Sequence, residues 1–255
     1  MPEVTSPYAT GTPCWVGLMA GDHLAALDFY RDLLGWQGQP GPAEFGGYAV
    51  CELDGKPVAG IGPTMDPAEP TVWTGYLATT DAQATQDAIV GAGGTLIAPV
   101  MDVGDLGRML IAADPQGAVF GVWQPGVFSG AKVVNEPGAV IWNELHTSDA
   151  EAATAFYGEA FGIEFKRVEG DVEYWELRVG DRPVGGATLL ANDPPGTPAH
   201  WLTYFAVDDV DSTVDALIKR NGTVLVPPFD MAEGRMTVVT DPQGALFAMI
   251  KHEPR

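Results

Sequence analysis

The stretch Trp15-Val16-Gly17-Leu18-Met19-Ala20-Gly21-Asp22, with Phe29-Tyr30 and Gly35 after it, decides the fold because the chain contains it twice. It returns as Trp142, Asp149, Phe156-Tyr157 and Gly162, each matched pair 127 residues apart (142 against 15, 162 against 35). Further out, Trp73, Tyr76 and Asp81 recur as Trp201, Tyr204 and Asp209, one residue further displaced. Gly107-Arg108-Met109 and Asp114-Pro115-Gln116-Gly117 recur as Gly234-Arg235-Met236 and Asp241-Pro242-Gln243-Gly244. Matches in register over this length mark a duplicated unit. The reading is a tail over residues 1–10, a first domain over 11–125, a linker over 126–137 punctuated by Pro and Gly, and a second domain over 138–252.

Each half carries a fainter repeat of its own. Trp15 to Met19 reads as a short strand, and Asp22 caps the helix that follows. Helical spacing places Ala26, Leu27, Tyr30, Leu33 and Leu34 on one face and Asp28 and Asp32 on the other, with Gly35 closing the helix. Strands are expected at 36–40, 47–54 and 57–62, the last two joined by a tight Asp54-Gly55 turn. The pattern restarts at Val72 with a second capping residue, Asp81. The unit is therefore βαβββ, twice per half, and one unit is too small to enclose a core alone. The fold class is α+β.

Composition narrows the function. Thirteen Lys and Arg against 34 Asp and Glu leave a formal charge of −21. Such a surface repels phosphate backbones and anionic membrane faces, so nucleic acid and membrane are not expected partners. No run approaches the roughly 20 apolar residues of a span. The first residues lack the basic head and apolar run of a secretory signal, so a cytoplasmic setting is expected. Cys14 and Cys51 lack metal-site spacing and read as buried free thiols.

A strand, an Asp-capped helix with Phe-Tyr and a closing Gly, then Gly-Arg and Asp-Pro-x-Gly, resembles the glyoxalase/bleomycin-resistance (vicinal oxygen chelate) superfamily. The resemblance covers nearly the whole chain, and its nearest form is the two-domain glyoxalase-like proteins, some known as hydroxylases and some associated with antibiotic pathways. It implies tandem domains, each a pair of βαβββ units forming a half-open barrel around a cavity. Its members include metal-dependent isomerases and extradiol dioxygenases, and metal-free antibiotic-binding proteins. In the metal enzymes a His or Gln stands seven residues before the capping Asp, and a Glu seven after the Asp of Asp-Pro-x-Gly. Here the former positions hold Trp15, Thr74, Trp142 and Leu202, and the latter Gly121 and Ala248. In the other two units the matching strand runs through Ala59-Gly60 and Gly185-Gly186. None can ligate a divalent ion as imidazole or carboxylate would. No metal and no cofactor is the expectation, with a divalent metal as the alternative.

Glu144 and His146 are two apart on a strand and share the face of Trp142. They are the candidate catalytic pair, acid and base, or a polar grip on a ligand; a structural hydrogen-bonded pair is the plain alternative. The first half has Gly17 and Met19 there, so any chemistry belongs to the second. Strand parity places Trp15, Tyr76 and Trp123 on the inner face of the first domain and Trp142 and Tyr204 on that of the second. These are the candidate ligand-binding residues, suited to a flat, apolar molecule. Trp73 and Trp201 point towards the helices. His200 reads as an exposed histidine at the start of a strand, and His23 and His252 as solvent-facing. Arg108 and Arg235 are expected to pair with the loop acids before them, Asp102 and Asp105, and Asp230 and Glu233.

Three functions compete. One is a cofactor-free module that binds a small apolar or aromatic metabolite, for sequestration or tailoring in secondary metabolism. The second is a metal-dependent lyase, isomerase or dioxygenase with an altered ligand set from Glu144, His146 and Glu176. The third is a metal-free catalyst using Glu144 and His146. The expected partner is a small-molecule ligand, and the chain is expected to be a monomer of two fused domains or a homodimer.

Overall fold

A computed structural model describes residues 3–43, 46–64, 66, 69–170 and 172–253; Met1 and Pro2 of the expected tail lie outside them. The first half contains β1 (Pro13–Ala20), α1 (His23–Leu34), β2 (Ala49–Leu53), β3 (Lys56–Pro63), β4 (Val72–Ala78), α2 (Ala82–Gly91), β5 (Thr95–Val103), β6 (Gly107–Ala113) and β7 (Val119–Pro125). The second contains β8 (Val140–Thr147), α3 (Ala150–Phe161), β9 (Glu164–Val168), β10 (Tyr174–Val179), β11 (Arg182–Leu189), β12 (His200–Ala206), α4 (Val210–Lys219), β13 (Thr223–Met231), β14 (Gly234–Thr240) and β15 (Leu246–His252).

The local signals act as their chemistry demands. The Asp22 carboxylate accepts from the Ala25 amide at 2.9 Å, and Asp149 takes the Glu151 and Ala152 amides. Gly35 and Gly162 end their helices at φ 78 and 68, where a side chain would be strained. Asp54 and Gly55 both take positive φ between β2 and β3. One expected strand does not form: the span 36–40 contributes only an isolated bridge between Gln37 and Glu52. Pro40 and Pro42 lack amide donors, so no ladder can run through Gln39-Pro40-Gly41-Pro42. Trp36 turns inward instead, and its indole donates to the Gly138 carbonyl at 2.6 Å.

Each half builds one sheet, in the orders β2-β3-β1-β4-β7-β6-β5 and β13-β14-β15-β12-β8-β11-β10-β9. The opening strands of its two units lie antiparallel at the centre, β1 beside β4 and β8 beside β12. The last strand of each unit runs parallel outside them. This is the expected pair of βαβββ units in a tandem α+β fold.

The two larger hydrophobic cores lie between the halves. One joins Phe29, Tyr30 and Trp36 of the first half to Phe205, Leu217 and Phe247 of the second. The other joins Ile89, Leu110 and Phe120 to Phe156, Tyr157 and Phe161. Helix α1 lies against α4 and α2 against α3, so the helical faces of the two sheets bury each other. At about 1.5–3 kcal/mol for each large side chain removed from water, this seam is a main source of stability. Trp73 and Trp201 point into it, as parity predicts. Asp114 and Asp241 take the amides of the turns they open and also accept from the buried hydroxyls of Tyr157 and Tyr30 in the opposite half.

The linker is a packed strap rather than a spacer. Its Ala131 and Lys132 amides donate to Cys14 and Pro57 of the first sheet, and the tail pairs with it through Val4 and the Tyr8 hydroxyl. Phe128 sets its ring edge-on to Trp15 at 4.9 Å. Both cysteines are buried free thiols. Among the described residues, no helix is long and apolar enough to cross a membrane.

Candidate functional site

The two sheets turn their inner faces, those away from the helices, in opposite directions, and the faces differ. In the first half, Trp15, Tyr76 and Trp123 meet on one face, as parity predicts. They form a filled cluster, however, rather than an open wall. Phe128, Val134 and Tyr8 pack against them, and Trp15 and Trp123 are under 10% exposed. Beside them the Trp15 indole donates to the Tyr48 hydroxyl at 2.9 Å. Tyr48 lies so close to β3 that a Cβ on Gly60 would stand 1.9 Å from its oxygen. Tyr76 likewise covers Gly121, where a Cβ would fall 2.2 Å from the ring.

The second half repeats half of this arrangement. The Trp142 indole donates to the Tyr174 hydroxyl at 2.9 Å, and Tyr174 covers Gly186 as Tyr48 covers Gly60. Tyr204 pairs with Trp142 across the central strands. The strap has no counterpart over this face in the described residues, and Trp142 stays half-exposed.

Glu144 and His146 are buried on this inner face, at 9% and 8% exposed. Glu144 Oε1 accepts from the Tyr204 hydroxyl at 2.9 Å and faces His146 Nε2 at 3.0 Å; burial and then the Glu144 charge push the nearby Tyr174 hydroxyl well above its ordinary value. Two residues that the sequence reading did not place in the site complete the group. Asp193 Oδ2 lies 2.7 Å from His146 Nδ1. It follows a short 3-10 turn over Leu190–Asn192, anchored by Asn192 donating to Thr188 at 3.0 Å. His200, expected to be exposed, is half-buried and stacks on His146 with ring centres 4.5 Å apart. The register explains this contact, since His200 and His146 are direct partners across β12 and β8. Parity alone held the signal: residues 200, 202 and 204 share a face.

The electrostatics follow from this crowding. Burial pulls the His146 pKa down, but the hydrogen bonds and charges of Glu144 and Asp193 outweigh it and leave the imidazole above its ordinary value. With a carboxylate at each nitrogen, both N–H groups of a protonated ring have an acceptor in place. Burial lowers His200, and the neighbouring charge on His146 adds to the effect. Burial and then the Glu144 charge push the Tyr204 hydroxyl well above the normal phenol range. The arrangement can therefore present the Glu144 carboxylate, held by the His146 ring and the Tyr204 hydroxyl, to a polar group on an aromatic molecule.

The other candidates have structural partners. Arg108 pairs with Asp102 at 3.0 Å, and Arg235 with Asp230 at 2.9 Å. Arg235 also grips Asp211 of α4 through two nitrogens, a partner the sequence reading did not name. Glu176, from the altered ligand set, is held by Arg178 and does not join His146. His252 is exposed and His23 half-exposed. The positions where the superfamily's ion would sit do not fit one. Trp142, Leu202 and Ala248 offer indole, isobutyl and methyl, and tyrosine rings lie on Gly60, Gly121 and Gly186, where a carboxylate-bearing side chain would collide.

Comparison with known proteins agrees with the fold. Residues 139–249 match the Glyoxalase/Bleomycin resistance protein/Dioxygenase superfamily. The chain is 40% identical over 259 residues to "Putative glyoxylase CFP32" of Mycobacterium tuberculosis, covering 98% of each. It is 38% identical over 267 residues to "Anthracycline biosynthesis protein DnrV" of Streptomyces peucetius, covering 96% of this chain and 94% of that one. Among solved structures, the Mn(II)-bound glyoxalase from Novosphingobium aromaticivorans is similar with a TM-score of 0.67 at 18% identity, covering 95% of this chain and 82% of that one. The 2,3-dioxygenase LapB from Pseudomonas sp. KL28 is similar with a TM-score of 0.68 at 13% identity, covering 98% and 94%. At these identities the structural likeness speaks for the fold alone.

Proposed function

Because the chain belongs to the glyoxalase/bleomycin resistance protein/dioxygenase superfamily, we propose that it binds a flat aromatic metabolite on the inner face of its second domain, where Glu144 meets a hydroxyl or carbonyl of that ligand. The first domain is the filled copy. One observation carries this reading. Glu144 is buried on the inner face that the strap does not cover and is held by Tyr204 and His146, whereas Gly17, its counterpart, lies beneath the Tyr48 hydroxyl. Tyr204 and His146 offset the desolvation of this carboxylate and hold it on the inner face, where it can also meet one polar group of a ligand. Trp142 and Tyr204 supply the flat apolar surface around it. The chemical class of the ligand is supported by DnrV, whose name places it in anthracycline biosynthesis; anthracyclines are planar fused-ring aromatics carrying hydroxyl and carbonyl groups.

On this reading binding requires no cofactor. Glu144 and His146 are also the acid–base pair of this inner face, which makes tailoring of the ligand the natural extension. The test is titration of the untagged chain with an anthracycline aglycone, followed by tryptophan fluorescence. Glu144→Gln and Tyr204→Phe are expected to weaken binding by roughly tenfold or more, the worth of a buried hydrogen bond to a charged group. Unchanged affinity in both variants contradicts the proposal.

A further inference from the structure

His146, Asp193 and His200 form a group that binding through Glu144 does not exhaust. One ligand-type atom from each lies within 4.8 Å of the others. The geometry of the outer nitrogens is informative. His146 Nε2 is engaged by Glu144 Oε1 at 3.0 Å, and His200 Nδ1 by the Pro198 carbonyl at 3.0 Å. A metal-bound imidazole gives its second N–H to a carboxylate or a backbone carbonyl, which fixes the tautomer and aims the ring. Both rings already have such a partner, of those two kinds. The nitrogens left over are His146 Nδ1, which faces Asp193 Oδ2 at 2.7 Å, and His200 Nε2.

We propose that His146 Nδ1, Asp193 and His200 Nε2 form a three-ligand site for a divalent transition-metal ion at the mouth of the second domain's inner face. Two imidazoles and one carboxylate suit zinc, iron or cobalt, and do not suit calcium or magnesium, which take oxygen ligands. The site lies away from the superfamily's positions. Its histidines follow Trp142 by four residues and precede Leu202 by two, and its carboxylate comes from the β11–β12 connection instead of a strand.

Occupancy needs modest movement. The ion takes the place of the proton between His146 Nδ1 and Asp193, and that proton leaves to solvent. Ligands about 2.1 Å from one ion stand roughly 3–3.4 Å apart, so the 2.7 Å contact opens slightly. His200 turns its edge out of the stack, for which its half-exposed position leaves room. The His146 Nε2–H bond to Glu144 is unaffected, so the ion replaces the proton's charge behind Glu144 without displacing Glu144 from the ligand. The remaining coordination positions face outward, open to water or a ligand oxygen. This inference uses His146 of the proposed site but rests on side-chain geometry, whatever that site binds.

The test uses the full-length, untagged chain, stripped with a chelator and titrated with Co2+ while the visible d–d absorption is recorded. One equivalent is expected to give a saturable band, which Asp193→Asn and His200→Ala each abolish with circular dichroism unchanged. Glu144→Gln is expected to retain the band and weaken affinity by about 10- to 100-fold, the usual cost of losing an outer partner. Absence of a saturable band, or a band that survives His200→Ala, overturns the site. Because the readout is the cobalt spectrum, its failure leaves the aglycone titration standing, and failure of that titration leaves the cobalt result standing.

Discussion

The Tyr30 hydroxyl donates to Asp241 Oδ2 at 3.2 Å across 211 residues of sequence, in a buried contact that joins the first helix of one half to the last turn of the other. Tyr157 and Asp114 repeat it at 3.1 Å. Each tyrosine also receives an indole N–H, from Trp73 and Trp201 respectively. The duplication is thus stitched together by two copies of one Trp–Tyr–Asp chain, and each core draws on both halves. Tyr30→Phe and Tyr157→Phe are each expected to cost about 1–3 kcal/mol, because each leaves a buried acceptor short of a donor. Denaturant unfolding should show a single transition in wild type and variants; separate transitions for the halves would contradict the shared core.

The same carboxylates set a pH dependence. Burial raises the Asp241 pKa above 3.8, outweighing the hydrogen bonds from the Ala245 and Gln243 amides and Tyr30. A carboxyl with a raised folded pKa binds its proton more tightly when folded, so its contribution is fully present below 3.8 and is lost as pH rises through the folded value. The stability of wild type relative to Asp241→Asn should therefore fall as pH climbs from below 3.8 towards neutrality. Paired melts across that range read it directly, and a difference that grows with pH goes against the account.

The strap over the first domain is open to its own test. Phe128→Ala removes the ring that sits edge-on to Trp15 and Trp123. Since Phe128 is only partly buried, the cost should stay below about 3 kcal/mol. The emission of the two underlying indoles should shift to the red as water reaches them. Unshifted emission would mean that the strap does not seal this face.

Much of the architecture could be read before any coordinates. The spacing of Trp15 and Trp142, the caps Asp22 and Asp149, and the αL glycines 35 and 162 are local signals with local causes, and they held. So did the opposite facing of Trp201 and Tyr204, which needs only strand parity. The rest depended on contacts that spacing does not encode. Pro40 and Pro42 break the strand expected over 36–40, which the repeat of the unit alone suggests. Asp193 reaches His146 only because the β11–β12 connection folds back over the sheet. His200 was set aside because a strand's first residue looks exposed until its cross-strand partner is known. Tyr48 and Tyr174 carried no motif, yet they explain why glycine stands where relatives of this fold place a carboxylate.

The account turns on one of two inner faces being at work. Its most direct test is the stoichiometry of an anthracycline aglycone on wild type, Trp142→Ala and Trp15→Phe, measured by isothermal titration calorimetry. One equivalent is predicted for wild type, abolished by Trp142→Ala and retained by Trp15→Phe. Two equivalents, or one that survives Trp142→Ala and is lost with Trp15→Phe, would place binding on the face that the strap, Phe128 and Tyr48 fill, and would contradict it.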